Sequence, residues 1–596
     1  MTSYFCDLLK SIKNDNEIIF NEICGKISVS KHDCNKRSFL HNLCSNTYIN
    51  CNYDKYVKLL VKNGVDINAF DDEKNTALHI STLKNNIKYV NALLKNGANS
   101  LIKNNFNRTP IYIACINDNH ECINLFFLNK LYKYDDIIGE IEIICVYGYL
   151  ECLKIIVNYI KIQDINISCL DVVCANNHSD CFNIFISGGM DLNIKNNYSD
   201  ATLLLVVYKN NIKYVKKLID NNADLNIQNN DKITPLLIAC DQNNIESVTA
   251  LIDAGAHLNM QNNDGNTAIM HSCNSLKCTL ALINTKADVT IRNNKKETAL
   301  MFACCHELEC TRALINIKID LNEQSDDGST ALILACRSDK PKIVSLLIDL
   351  NTDLNISRKN GDTALHECQS KTCINLLVNA KINLNIINNE GNNALMCSFK
   401  CENSNEHIHA LIESGIDINK SNNKGECPLF LNDDYDILIK LIQYSVNINV
   451  KNQNGEPYIM CKTLSDTKWF NFEFIQYLIK LGINLKATNN NMQTTLYKCF
   501  ENDMINKSTM LFKLGINIKY ELYNANKIIN CKNNYTKKKY IEELTKYHNI
   551  ELKLKYEFMY IICSNSIKHE LTRFFKLNKG LRGNIGGRII GYINAF

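Results

Sequence analysis

The stretch "DLNIQNNDKITPLLIAC" (residues 224–240) returns 33 residues later as "HLNMQNNDGNTAIMHSC" (residues 257–273). A fixed offset of this size marks one supersecondary unit repeated along the chain. The first copy has a readable grammar. Thr234 stands where a helix N-cap hydroxyl belongs, and Pro235 follows at the first helical position, where its missing N–H is no loss. Leu236, Ile238 and Ala239 then form one apolar stretch, and Val248, Leu251 and Ile252 recur at helical spacing in a second. Gly255 ends that second helix as a residue tolerant of left-handed geometry. Each copy is therefore a helix, a polar turn, a second helix and a polar finger leading into the next.

Working outward from Thr234, the same opening recurs as "TALH" at Thr76, "TPIY" at Thr109, "TAIM" at Thr267, "TALM" at Thr298, "TALI" at Thr330 and "TALH" at Thr363. Weaker copies fill the gaps: "SFLH" at Ser38, a degenerate one near Gly139, "SCLD" at Ser168, "ATLL" at Ala201, "NALM" at Asn393, "CPLF" at Cys427, "EPYI" at Glu456 and "TTLY" at Thr494. That gives about fifteen repeats, each too small to bury its own apolar face and stable only when stacked on its neighbours.

"TALHIS" and "TPLLIA" match the "T-P-L-H-x-A" core of the ankyrin repeat, and "NNDGNTA" matches its finger. The chain resembles that family from Ser38 to Tyr520. The resemblance implies an all-α fold, an α-solenoid of about fifteen helix-turn-helix units with short β-hairpin fingers. It also implies a non-catalytic scaffold that binds a partner protein through the concave face made of finger tips and inner helices. Gln228, Asn229, Asp231, Gln261, Asn262 and Asp264 sit at such tips and are the expected partner-binding residues. The richness in Asn, Ile and Lys is similar to the ankyrin families of giant DNA viruses, mimivirus relatives in particular, which would make the partner a host protein. The expected domains are a helical cap over 1–37, the array over 38–520, and a basic, partly helical cap or tail over 521–596.

The chain departs from the family pattern in places. The helix-ending Gly is replaced by Lys286, Lys318, Lys381 and Ser445, so those repeats are expected to carry strain or to terminate differently. The repeats near Gly139, Ser168 and Ala201 have lost the Thr-Pro or Thr-Ala opening and are the expected weak link. Those opening at Thr234, Thr267, Thr330 and Thr363 are expected to keep strong helix starts.

Composition sets limits. A hydrophobic fraction of 46% and a charged fraction of 21% fit a packed chain and argue against general disorder. Asp7 and Lys10 interrupt the apolar run a secretion signal needs. Apolar stretches such as Leu203 to Tyr208 fall far short of the roughly 18 residues that span a bilayer. The 28 Cys in a long chain without an export signal point to a reducing, intracellular compartment.

No chemical motif survives scrutiny. Cys273 with Cys278, Cys305 with Cys310 and Cys368 with Cys373 are each separated by four intervening residues, but tetrahedral zinc calls for four ligands at tighter paired spacing, and Cys is read here as a small hydrophobe. His79 and His366 have no nucleophile or carboxylate at recurring spacing to make a catalytic set. By resemblance they steady the start of a helix and its finger. "GLRGNIGGRIIG" (residues 580–591) lacks the Gly-Lys-Ser/Thr ending of a phosphate loop. No catalytic, cofactor or metal site is expected.

Beyond Tyr520 the charge turns basic, with 14 Lys and Arg against 6 Glu. Lys537, Lys538 and Lys539 beside Tyr535 and Tyr540 raise the alternative of nucleic-acid binding through this tail, although a solvated helical cap is favoured and no nucleic-acid partner is expected. An apolar stripe of Phe558, Tyr560, Ile561, Ile562, Leu571 and Phe574 suggests that the tail packs on the last repeats. A second alternative is an adaptor that brings a bound protein to a ubiquitin ligase, although "HELTRFFKLNKGLRGN" carries no Leu-Pro-x-Glu box. The expected partner is thus an unidentified protein, with no membrane contact, and the chain is expected to be a monomer.

Overall fold

The computed structural model describes residues 2–26, 33, 35–45, 52–129, 137–399, 405–464, 471–502, 504–514, 516–517, 521, 540–546 and 548–549. The chain divides into two compact units, Met1–Asn294 and Lys295–Phe596. Each is a solenoid of stacked helix pairs. Among the described residues the only β-pairing is isolated bridges at the fingers, Lys195 with Ala201 in the first unit and Ser357 with Thr363, Lys451 with Pro457 and Thr488 with Thr494 in the second.

The repeat opening at Thr234 shows why the sequence folds this way. The Thr234 hydroxyl accepts the N–H of Leu237 at 3.2 Å and caps the inner helix Pro235–Asp241. That helix buries Leu236, Leu237, Ala239 and Cys240, and the outer helix Ile245–Asp253 buries Val248 and Leu251 against them. Fully burying each large aliphatic side chain contributes about 1.5–3 kcal/mol. Neighbouring repeats supply the other wall, and so the core runs along the stack with no centre of its own.

Fingers are joined by backbone rungs. Asn263 donates its N–H to the carbonyl of Asp231 at 3.0 Å, and Asn294 donates to Asp264 at 2.9 Å. In the second unit Lys359 donates to Asp327 and Asn423 to Glu390, each at 2.9 Å. Gly265, Gly328 and Gly361 turn these fingers with φ of 78°, 84° and 87°, and a Cβ at each would lie 2.7 to 2.9 Å from the next finger's backbone. Lys232 and Lys296 take the same turn at 56° and 58°.

The substituted helix ends resolve in favour of strain. Lys286, Lys318, Lys381 and Ser445 hold φ of 66°, 58°, 61° and 62°, the left-handed geometry that Gly255 takes in its own repeat at 91°. These repeats therefore end as the others do, and the side chain bears the steric penalty.

Of the expected helix starts, the one at Thr363 is lost and the one at Thr267 is kept but cut short. After Thr363 the backbone makes only a turn over 364–367, and after Thr267 the α-helix Ala268–His271 gives way to a 3-10 turn at Ser272–Asn274. The cause is length. The second helix begins at Leu276 and Lys371 in these repeats, fewer residues after the opening Thr than the span from Thr234 to Ile245, so the last turn of the first helix is drawn out to make the connection. Thr234 and Thr330 do cap regular seven-residue helices.

The degenerate repeats form full pairs: Ile138–Tyr147 with Leu150–Val157, Ile167–Ala175 with Ser179–Ser187, and Thr202–Tyr208 with Ile212–Asp220. They differ in their connections. A 3-10 turn at Ile162–Asp164 replaces the finger before Ile167, and the Ile162 side chain lies where a Cβ on Gly188 would be, 1.7 Å from its Cδ1.

Cys273, Cys278, Cys310, Cys368 and Cys373 are buried at helix-packing positions, while Cys305 is half-buried. Burial pushes the thiols of Cys24 and Cys122 up to about 11 and about 12. At the far end, Tyr540 and Leu544 bury against Leu496, Tyr497 and Leu511. Lys537, Lys538, Lys539, Tyr535, the apolar stripe from Phe558 to Phe574 and the glycine-rich segment 580–591 lie outside the described residues.

Candidate functional site

In the first unit, three successive openings place side chains on one outward face. Counting from the capping residues Ala201, Thr234 and Thr267, the fourth and seventh positions share one side of the inner helix. They carry Leu205 and Tyr208, then Ile238 and Asp241, then His271. The positions between them, Val206 and Val207 in one repeat and Ala239 and Cys240 in the next, are spent on the core, so this face is free for other work.

These side chains line a groove of about 470 Å³. Leu204, Leu205, Leu237 and Ile238 form its apolar floor, and Asp200, Asn229 and Asn262 reach it from the fingers. Tyr208 is 61% exposed at its edge, with the Lys209 ammonium 5.9 Å from the ring centre. His271 Nδ1 meets Asp241 Oδ1 at 3.0 Å, and its Nε2 is buried with no hydrogen-bond partner among the described residues. Asp200 Oδ1 accepts from Asn229 Nδ2 at 3.2 Å.

The six residues singled out in the sequence divide. Asn229 and Asn262 line the groove while building their own turns. Asn229 Oδ1 accepts the N–H groups of Asp231 and Ile233, and Asn262 Oδ1 those of Asp264 and Asn266. Gln228 and Gln261 stitch fingers together: Gln228 Nε2 donates to the carbonyls of Lys232 and Gln261, and Gln261 Nε2 to those of Gly265 and Arg292. Asp231 and Asp264 stand exposed on the tips, their carbonyls taken by the next finger. The sequence reading missed Tyr208, Ile238, Asp241 and His271. The fourth-and-seventh spacing after each cap would have found them.

The corresponding positions of the second unit carry an ion network. Arg337 Nε donates to Glu367 Oε2 at 3.0 Å, while Arg358 binds the other Glu367 oxygen and reaches Asp327 Oδ2 at 2.7 Å. Burial works to raise the Glu367 carboxyl, but Arg337 and then Arg358 hold it below the usual range.

Asp362, His366 and Cys397 bring three potential metal ligands within 4.8 Å of one another. Their chemistry does not suit an ion. His366 Nδ1 accepts the Thr363 N–H at 3.2 Å, and Nε2 faces the carbonyl of Asn392 at 3.3 Å, so neither ring nitrogen has a lone pair to give. The trio is a stitch between repeats. His79 makes the same one, accepting from the Thr76 N–H at 3.1 Å and donating to the Arg108 carbonyl at 3.0 Å. Burial pushes the His79 imidazole down to about 4, so it is neutral at physiological pH.

No helix among the described residues is long and apolar enough to cross a membrane. No curated protein matches the chain. The ankyrin repeat domain of human ASB11 is a similar solved structure, 22% identical over 36% of this chain and 98% of that one, with a TM-score of 0.33. The ankyrin repeat domain of Bcl-3 is 26% identical over the same shares, with a TM-score of 0.31. A family model described as ankyrin repeats (three copies) matches residues 8–104, 203–293, 274–358 and 350–422. With more than half of its residues covered by that model, the chain belongs to the ankyrin-repeat family.

Proposed function

We propose that the protein is a non-catalytic scaffold that holds a partner protein on the face made by its fingers and inner helices. The observation that carries this reading is the outward face of the first unit, where Leu205, Tyr208, Ile238, Asp241 and His271 are left over from packing and converge on one groove. Ankyrin repeats generally mediate protein–protein interaction, and they leave such positions open to variation because the core does not depend on them. Gln228, Asn229, Asp231, Gln261, Asn262 and Asp264 belong to the same surface, the amides as its frame and the aspartates as its exposed charges.

In this reading residues 1–37 cap the array, 38–520 form it, and 521–596 close the other end. The burial of Tyr540 and Leu544 on the last repeat supports that closing role. The thiol-rich interior suits a reducing compartment. The Asn-, Ile- and Lys-rich composition supports a giant-virus origin and with it a host protein as partner.

A photoreactive amino acid at Tyr208 tests the reading. It should crosslink one protein in cells, whereas the same probe at Lys216 on the exposed side of the outer helix should not. Equal labelling from both positions would show that the inner face has no special role.

A further inference from the structure

The groove of the first unit has an apolar floor and a surplus of hydrogen-bond acceptors. Asp200 and Asp241 meet no lysine or arginine among the described residues: an amide from Asn229 steadies the first, and the imidazole of His271 the second. The Asp241 carboxylate accepts from His271 Nδ1–H, so in the neutral ring the buried Nε2 is an acceptor, and it has no donor. Two carboxylates and an imidazole nitrogen therefore surround aliphatic side chains, against one cation at the edge, Lys209. Tyr208 offers the face of an exposed ring beside them.

We infer that this groove receives an arginine side chain from an extended segment of the partner protein. The inference rests on the proposed partner-binding role of this face. An arginine satisfies each feature at once. Its methylene stem covers Leu205 and Ile238. Its planar fork carries five N–H donors for the acceptors that line the groove, whereas lysine brings three donors from a single point. The guanidinium also stacks on a tyrosine ring, which a neutral side chain does not.

The probe is a phage-displayed library of random dodecapeptides, selected on the full chain, with the best binder then synthesised and titrated by fluorescence anisotropy. Selected peptides should share an arginine. Changing it to Gln should weaken binding roughly tenfold, and changing it to Lys less. The Asp200→Asn, Asp241→Asn double variant should lose the same factor for the parent peptide and nothing further for the Gln peptide. Should the double variant melt early, Asp241→Asn alone, at the exposed end of its helix, gives the same comparison. Peptides that bind without an arginine, binding indifferent to both aspartates, or no selected peptide at all overturns the inference. The Tyr208 crosslink decides the scaffold reading separately: a specific crosslink with arginine-independent peptides keeps the scaffold and removes the arginine pocket.

Discussion

The side-chain carbonyl of Asn226 accepts the backbone N–H of His257 at 2.7 Å, across 31 residues of sequence. The same bond joins Asn193 to Asp224, Asn259 to Asp288, Asn322 to Asp353 and Asn419 to Asn447. It gives the asparagine of these "DLNI"-like segments a purpose: one amide ties the repeat to its successor. Asn226→Leu should cost about 0.5–1.5 kcal/mol, because the His257 N–H then depends on water. Asn226→Asp keeps an acceptor and should cost less. Urea titration reads the difference, and amide exchange should place the loosening at His257.

Lys286, Lys318 and Lys381 store strain at their left-handed helix ends. Replacing Lys318 with Gly should relieve roughly 1–2 kcal/mol of steric penalty and return about half of it as lost chain entropy. The net gain is then about 0.5–1 kcal/mol. Thermal melts of the three single Gly variants check this. A fall in melting temperature in all three would refute the assignment of strain.

Acid should weaken the first unit. His79 sits at about 4 in the folded chain against an ordinary 6.5, so protons bind the unfolded state first. Its contribution is complete above about pH 6.5 and is lost as the pH falls toward 4, on the order of 3 kcal/mol. Urea midpoints at pH 7 and pH 5 should differ in the parent and converge in His79→Gln. Glu521 has the opposite sign. Burial raises its carboxyl, although Thr494 and Tyr540, both at 2.6 Å, partly offset this. Its contribution is greatest when protonated and is lost as the pH rises through that elevated value. Glu521→Gln should therefore protect the last repeat at neutral pH, read by amide exchange over residues 495–513.

At Gly188 there is no room for a methyl group. A Cβ would stand 1.7 Å from Ile162 Cδ1, so Gly188→Ala must displace that side chain and the 3-10 turn that carries it. A destabilisation of about 1–3 kcal/mol is expected, with Ile162→Ala restoring part of it. In the parent, exchange should be fastest between Ile141 and Val207, where this turn stands in place of a finger. Uniform protection along the first unit would show that the turn is as firm as a finger.

The helix pairs were legible because each depends on a few residues in a row: a capping Thr, a Pro or Ala after it, and apolar positions at helical spacing. The lost helix after Thr363 was legible only in part, since the motif "TALH" is intact and the sign lies further on, in a shortened connection between the helices. At the groove, the amides of Gln228 and Asn229 drew attention as exposed polar residues, yet most of their bonds are to turn backbone. Tyr208, Asp241 and His271 carry no motif at all. They share only a spacing, the fourth or seventh place after a helix cap, and that spacing marks a site only once successive repeats are stacked.

Among the described residues the backbone rungs between fingers run one way, from an N–H in the later finger to a carbonyl in the earlier. The array therefore has a direction but no preferred length. Excising one whole period, from Thr234 to Asn266, splices Ile233 to Thr267 and brings the finger at Asn294 against the carbonyl of Asp231, the same donor meeting the same kind of acceptor. Removing half a period would strand both. Repeats of this kind are exchangeable parts, and a chain built from them can grow or shrink by whole units without learning a new fold.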